Sequence, residues 1–275
     1  SGGGTPISRN KQKEVPHMAL TKPYYRIIRP GPNASIHEFV TDSRYAPDRI
    51  SLVRAYLSIE KTLQDIFDYV EPADCNKCVF SHSLYALLLR ACTEVEANFK
   101  SILVANGVPD SDNFNMNDYK KVEESSKLSK YKVTFPFWRN SDGSMSDLEM
   151  IPFESFQESK RPTWYVSYNE VKHNRDNKFE NASLENCMNA VAAILVLLYS
   201  QFGASCLAIR VGSLGFGGPA PNEYGYNDLT FYGDTDFRIT PPSMTDWPEE
   251  EWYNFDWDSI KGTAEPFEKY PFTSK

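Results

Sequence analysis

Between Trp164 and Arg175 the chain reads WYVSYNEVKHNR, and this stretch carries the densest set of side chains able to do chemistry. Asn169, Lys172, His173 and Arg175 place an amide, an ammonium, an imidazole and a guanidinium within seven residues. On a helix, Asn169 and His173 are four apart and share a face, while Tyr168 and Lys172 form the neighbouring row. A histidine so placed can take the proton of a ribose 2′-hydroxyl as general base, or protonate a leaving oxygen as general acid. Asn169 can orient the imidazole or donate to a phosphate oxygen, and Lys172 and Arg175 supply positive charge. The competing reading of His173 is plainer: a helix-end histidine held by the dipole and a nearby carboxylate.

Other candidates carry less. Cys75, Cys78 and His82 read C-x2-C-x3-H, which invites zinc, but structural zinc takes four ligands and no second spaced pair follows. Incidental thiols at a helix start are the better reading. The GSLGFGG run at 212–218 has no following Lys-Ser/Thr and no preceding strand, so it reads as a flexible turn rather than a phosphate loop. No Gly-x-Ser-x-Gly elbow is present, and the histidines are too scattered for a hydrolase triad. His37 reads as a surface residue of an N-terminal arm. No metal and no cofactor are expected.

The elements that must position the motif are mostly helical. Residues 18–46 are rich in Pro, Asn, Ser and Tyr and read as an arm or loop. Asp48 is a candidate cap for a helix to about Val70, with Ile50, Val53, Leu57, Leu63, Ile66 and Phe67 on its stripe. A second helix is expected from Val79 to about Ala105, its surface laced by Arg90–Glu94 and Glu96–Lys100 pairs. A β-hairpin inserted at about 130–157 is predicted from Tyr131–Trp138, the Asn140–Gly143 turn and a second apolar piece, Met150–Phe156. Pro136 and Pro152 argue against a central strand. Pro162 suits the first turn of the motif helix, with a break after Asn177. Ser183 then opens a helix to about Phe202, apolar on nearly every side and ended by Gly203, which reads as the centre of a bundle.

Charge and composition bound the rest. The 275 residues carry five cysteines and a net charge of −8. Residues 1–17 contribute +2 (three basic, one acidic) and 219–275 contribute −8 (four basic, twelve acidic), leaving about −2 for 18–218. A nearly neutral body can still present a local basic patch, so nucleic acid stays among the ligands. The leader 1–17 reads as vector-derived, with Met18 the natural first residue. With no run of eighteen apolar residues and no export signal, a cytoplasmic protein with reduced thiols and no membrane span is expected. The tail 219–275 alternates aromatic and acidic residues, so it is expected to pack as an irregular strap on the body or on a protein partner. A sharper reading makes it a mimic of single-stranded nucleic acid.

On two stretches, LLLRACTEVEANFKSIL and WYVSYNEVKHNRDNKF leading into AVAAILVLL, residues 47–203 resemble the HEPN superfamily. The resemblance implies a mainly α-helical bundle that dimerises, and a metal-independent RNase built on an Arg-(Asn/Asp/His)-x3-His motif. Many such proteins belong to bacterial defence or toxin–antitoxin systems. By position Asn169 and His173 match, whereas Tyr168 stands where the family has its catalytic arginine. A phenol offers no fixed cation to a developing phosphorane. Either Lys172 or Arg175 substitutes, or cleavage is lost and binding remains. Two functions stay open: an RNA-binding or RNA-cleaving protein, or a non-catalytic interaction protein in which YNEVKHNR is structural.

Overall fold

The computed structural model describes residues 20–32, 36–207 and 235–272, apart from the side chains of 36, 37 and 205. The leader 1–17 with Met18, the 212–218 glycine run, the tail to 234 and the side chain of His37 lie outside the described residues.

Among the described residues the fold is mainly helical with one small antiparallel sheet. After a single turn, α1 (Ile36–Phe39), come two long helices, α2 (Arg49–Phe67) and α3 (His82–Ala105). Two short helices follow, α4 (Met116–Tyr119) and α5 (Val122–Ser126), then strands β1 (Lys132–Arg139) and β2 (Met145–Met150). The motif helix α6 (Thr163–His173), the short α7 (Arg175–Lys178) and α8 (Leu184–Phe202) complete the bundle. The tail adds β3 (Arg238–Thr240) and a final turn, α9 (Trp257–Ile260).

The long helices form where the apolar spacing is three and four. The starts of α3 and α8 are set by hydroxyl caps: Ser81 accepts from Leu84 N at 3.1 Å and Ser183 from Asn186 N at 3.3 Å. α8 ends at Gly203, whose φ of 59° lies in the region that favours glycine. It is long and apolar enough to cross a membrane, yet 83% of its apolar window is buried inside the protein, against α2, α3 and α6. That makes it the core around which the bundle is assembled.

Several expectations need correction. Asp48 does not cap α2; its carboxylate accepts instead from Arg26 and from Ser101 Oγ. Glu96 is not spent on Lys100, which pairs with Asp110 at 2.8 Å, because Glu96 is taken by Tyr165. The second hairpin strand is Met145–Met150 rather than Met150–Phe156, since the turn at Gly143 returns the chain directly into pairing with β1. β1 is also central, in the order β2-β1-β3, despite Pro136. The register shifts between Phe135 and Trp138, so the proline sits in a bulge where the ladder asks nothing of it.

The arm and the tail are laced together on the body. Leu20 N donates to Trp252 O at 2.9 Å, Tyr253 N to Pro30 O at 2.8 Å, and Glu268 N to Pro23 O at 2.9 Å. Their approach at Gly31 is close: a Cβ there would lie 1.7 Å from the Tyr253 carbonyl oxygen. Arg29, only 3% exposed, places its guanidinium 5.2–5.4 Å from the ring centres of Tyr24, Trp247 and Tyr270, and 3.5 Å from a Glu251 carboxylate oxygen. Phe39, Tyr253, Phe255, Trp257 and Phe267 continue the aromatic packing beneath.

Candidate functional site

Helix α6 is fastened to the body by its aromatic row. Trp164 Nε1 donates to Pro152 O at 2.8 Å, and its ring meets Phe153 edge-on. Tyr165 donates to Glu96 Oε1 on α3 at 2.7 Å. Tyr168 is 2% exposed; its hydroxyl accepts from Lys172 Nζ at 3.0 Å, and the ammonium also sits 5.1 Å from the ring centre. Burial pushes the phenols of Tyr165 and Tyr168 up, and the bond to Tyr168 raises the Lys172 ammonium. All three therefore hold their protons at neutral pH. The Lys172–Tyr168 bond therefore spans one turn within α6 and ends in an exposed ammonium, while the tie between helices is Tyr165–Glu96.

The other row faces outward. Asn169 turns its Nδ2 back to Tyr165 O at 2.9 Å, which leaves its carbonyl oxygen outermost. His173, the last residue of α6, is exposed and has no hydrogen-bond partner among the described residues. Asn174 breaks the helix with φ −142° and ψ 53°, so the interruption comes three residues before the expected one at Asn177. Arg175 therefore lies beyond the break and does not continue the rows of α6. Its side chain is 54% exposed, with the guanidinium 6.0 Å from the Tyr85 ring centre and Nε 3.9 Å from Asp176.

The predicted site residues thus divide. Tyr168 is buried, Lys172 is exposed with its ammonium on the Tyr168 hydroxyl, and Asn169 is half-buried. His173 and Arg175 are presented at the exposed end. Glu170, next to Asn169, is occupied by Asn181 Nδ2 at 2.5 Å, which ties α6 to the loop before α8.

Sequence reasoning missed an aromatic cluster beside this end. Phe179 is surrounded by Phe80, His82 and Tyr85, at centre distances of 5.5, 4.8 and 5.9 Å. Phe80 is 46% exposed and His82 is exposed. His82 is thus a ring neighbour of Phe179, while Cys75 and Cys78 are free and exposed on the preceding turn. The cluster joins residues a hundred positions apart, through the Phe80–Ser183 bridge. No local periodicity signals such a pairing.

Comparison with protein-family models, with curated proteins and with solved structures returned no match.

Proposed function

We propose that this chain is a HEPN-like RNA-binding protein that lacks, at Tyr168, the cation efficient cleavage would require. The observation that supports this reading is the division of the motif. The residue in the arginine position is buried and neutral, whereas His173 and Arg175 stand exposed at the end of α6 with Lys172 behind them. A guanidinium and an ammonium flanking an imidazole suit phosphate oxygens. Asp176 lies 3.9 Å from Arg175, so part of the positive charge is offset and affinity rests on placed contacts. The partner is RNA, the working unit is a homodimer bringing two such ends together, and the setting is a defence or toxin–antitoxin system.

The Tyr165–Glu96 bond and the burial of Tyr168 favour a second reading, a non-catalytic interaction protein, because they tie part of the motif into the bundle. The test is incubation of a mixed RNA pool with the protein in EDTA, beside His173→Ala, with binding measured in parallel. Binding without cutting, weakened by His173→Ala and Arg175→Ala, supports the proposal. Metal-independent cutting abolished by His173→Ala restores a nuclease and sends the search to Lys172 and Arg175. Neither binding nor cutting leaves the interaction protein.

A further inference from the structure

The C-x2-C pair lies in the turn between α2 and α3, outside the motif surface. Residues Asp74–Asn76 form a 3₁₀ turn, and Lys77 continues it with φ −52° and ψ −39°. In such a turn the side chains at i and i+3 eclipse, and a rise of about 2 Å per residue sets Cys75 and Cys78 roughly 6 Å apart at Cα. That is the separation a disulfide spans without backbone movement. Both thiols are exposed, whereas Cys92, Cys187 and Cys206 are buried.

The turn is also anchored on either side of the pair. Asp74 accepts from Trp138 Nε1 at 3.0 Å, from Ser141 N at 3.0 Å and from Lys77 Nζ at 2.8 Å. Beyond it, Lys77 O accepts from Glu185 N at 3.0 Å and Val79 O from Leu184 N at 2.9 Å. With both flanks held, the two cysteines keep that Cα separation, and closing a ring between them competes well with attack on a second external molecule.

We propose that Cys75 and Cys78 form a reversible dithiol–disulfide site whose oxidant is a small disulfide of the glutathione class. One thiolate attacks a sulfur of the small disulfide, forming a mixed disulfide and expelling one small thiolate. The second thiolate attacks the protein sulfur of that mixed disulfide, closing the Cys75–Cys78 bond and expelling the other. Two protein thiols are oxidised by two electrons, their two protons pass to the released thiolates, and one small disulfide becomes two thiols. Burial pushes the Cys92, Cys187 and Cys206 thiols up, Cys206 to about 12, which keeps them out of this exchange.

The test is incubation of the full chain with a series of glutathione disulfide to glutathione ratios, then acid quench, alkylation and peptide mapping by mass. The expected product has lost two hydrogens and carries an internal Cys75–Cys78 link, reopened by excess glutathione. Cys92, Cys187 and Cys206 alkylate only after unfolding. Cys78→Ser should stop at the mixed disulfide on Cys75, and Cys75→Ser at that on Cys78. Glutathione persisting on either cysteine of the unsubstituted chain, a disulfide between two chains, or no oxidation across the series would overturn the proposal.

Discussion

Arg29 and Arg175 both lie over aromatic rings, and they do opposite things. Arg29 is shut inside three rings, contributed by the arm and the tail, with Glu251 alongside. Arg175 lies over one ring at the edge of its reach and is more than half exposed. A guanidinium withdrawn from water must be matched where it sits, so Arg29 is committed to holding the arm and tail together. One left in solvent gains little from a nearby carboxylate and remains available to a ligand. Burial, more than residue type or ring count, separates the cation that builds this molecule from the cation that can bind something.

The largest test of that contrast is Gly31→Ala. The added methyl would meet the Tyr253 carbonyl, which belongs to backbone and cannot rotate aside. The arm must lift from the tail and loosen the bonds on both sides of Arg29. The expected loss is on the order of 3–5 kcal/mol, read as a fall in the urea midpoint. Arg29→Met should follow at about 2 kcal/mol, because it removes the bonds to the Glu251 and Ser125 carbonyls and the cation over three rings, while Glu251 keeps Lys127 at 3.9 Å. A shift below about 1 kcal/mol for either would mean the clasp is not a main source of stability.

Tyr168 comes next. Tyr168→Phe removes only the bond from Lys172 and should cost about 1 kcal/mol. Tyr168→Arg, which installs the arginine of the HEPN motif that this stretch resembles, should cost more, since α6 presents this position to the core. Cleavage gained by Tyr168→Arg without loss of stability would show that the position can turn outward, and would count against the division of the motif described above.

Glu60 sharpens the comparison with a third charge, an acid. It is 2% exposed, accepts from Thr235 Oγ1 and from Asp236 N at 2.9 Å, and so pins the tail entering β3 to α2. Burial, aided by the Asp236 charge, lifts its carboxyl from 4.5 to about 6, against the lowering effect of those hydrogen bonds. The folded state therefore prefers the protonated acid. The resulting stability is full below pH 4.5 and is lost as pH rises through about 6, to the extent of about 2 kcal/mol. Glu60→Gln should flatten that part of the stability–pH curve; an unchanged slope between pH 4 and 7 would remove Glu60 as its source.

What the sequence made legible follows from range. α2, α3 and α8 are local events, declared by apolar spacing and, for α8, by Ser183, and their extents follow from those signals to within a few residues. The pairing of Lys132–Thr134 with Arg238–Thr240 joins segments a hundred residues apart, and a three-residue strand carries no pattern of its own. Pro136 misleads because a bulge exempts it from a rule about ladders. At the site, the rows of α6 could be read from spacing, but which row faces the core could not. Tyr168 and His173 are both amphipathic, and only the packing of α6 on the bundle decides that the phenol goes in and the imidazole stays out. Asn174 hid the break because its neighbours on both sides are helical.

The smallest effect on stability should come from the outward face, and there it is the most informative. Arg175→Ala removes a half-exposed side chain whose carboxylate neighbour is 3.9 Å away and 91% exposed, so folding should change by less than about 0.5 kcal/mol. If the end of α6 grips RNA, the same change should weaken binding by about 1 kcal/mol, roughly fivefold, and lower the salt dependence by about one counterion. His173→Ala should also weaken binding, because it removes a hydrogen-bonding ring from the same exposed end. Equal loss of folding and binding in Arg175→Ala would place this arginine with Arg29 as a structural group, and would dissolve the contrast from which the functional reading is drawn.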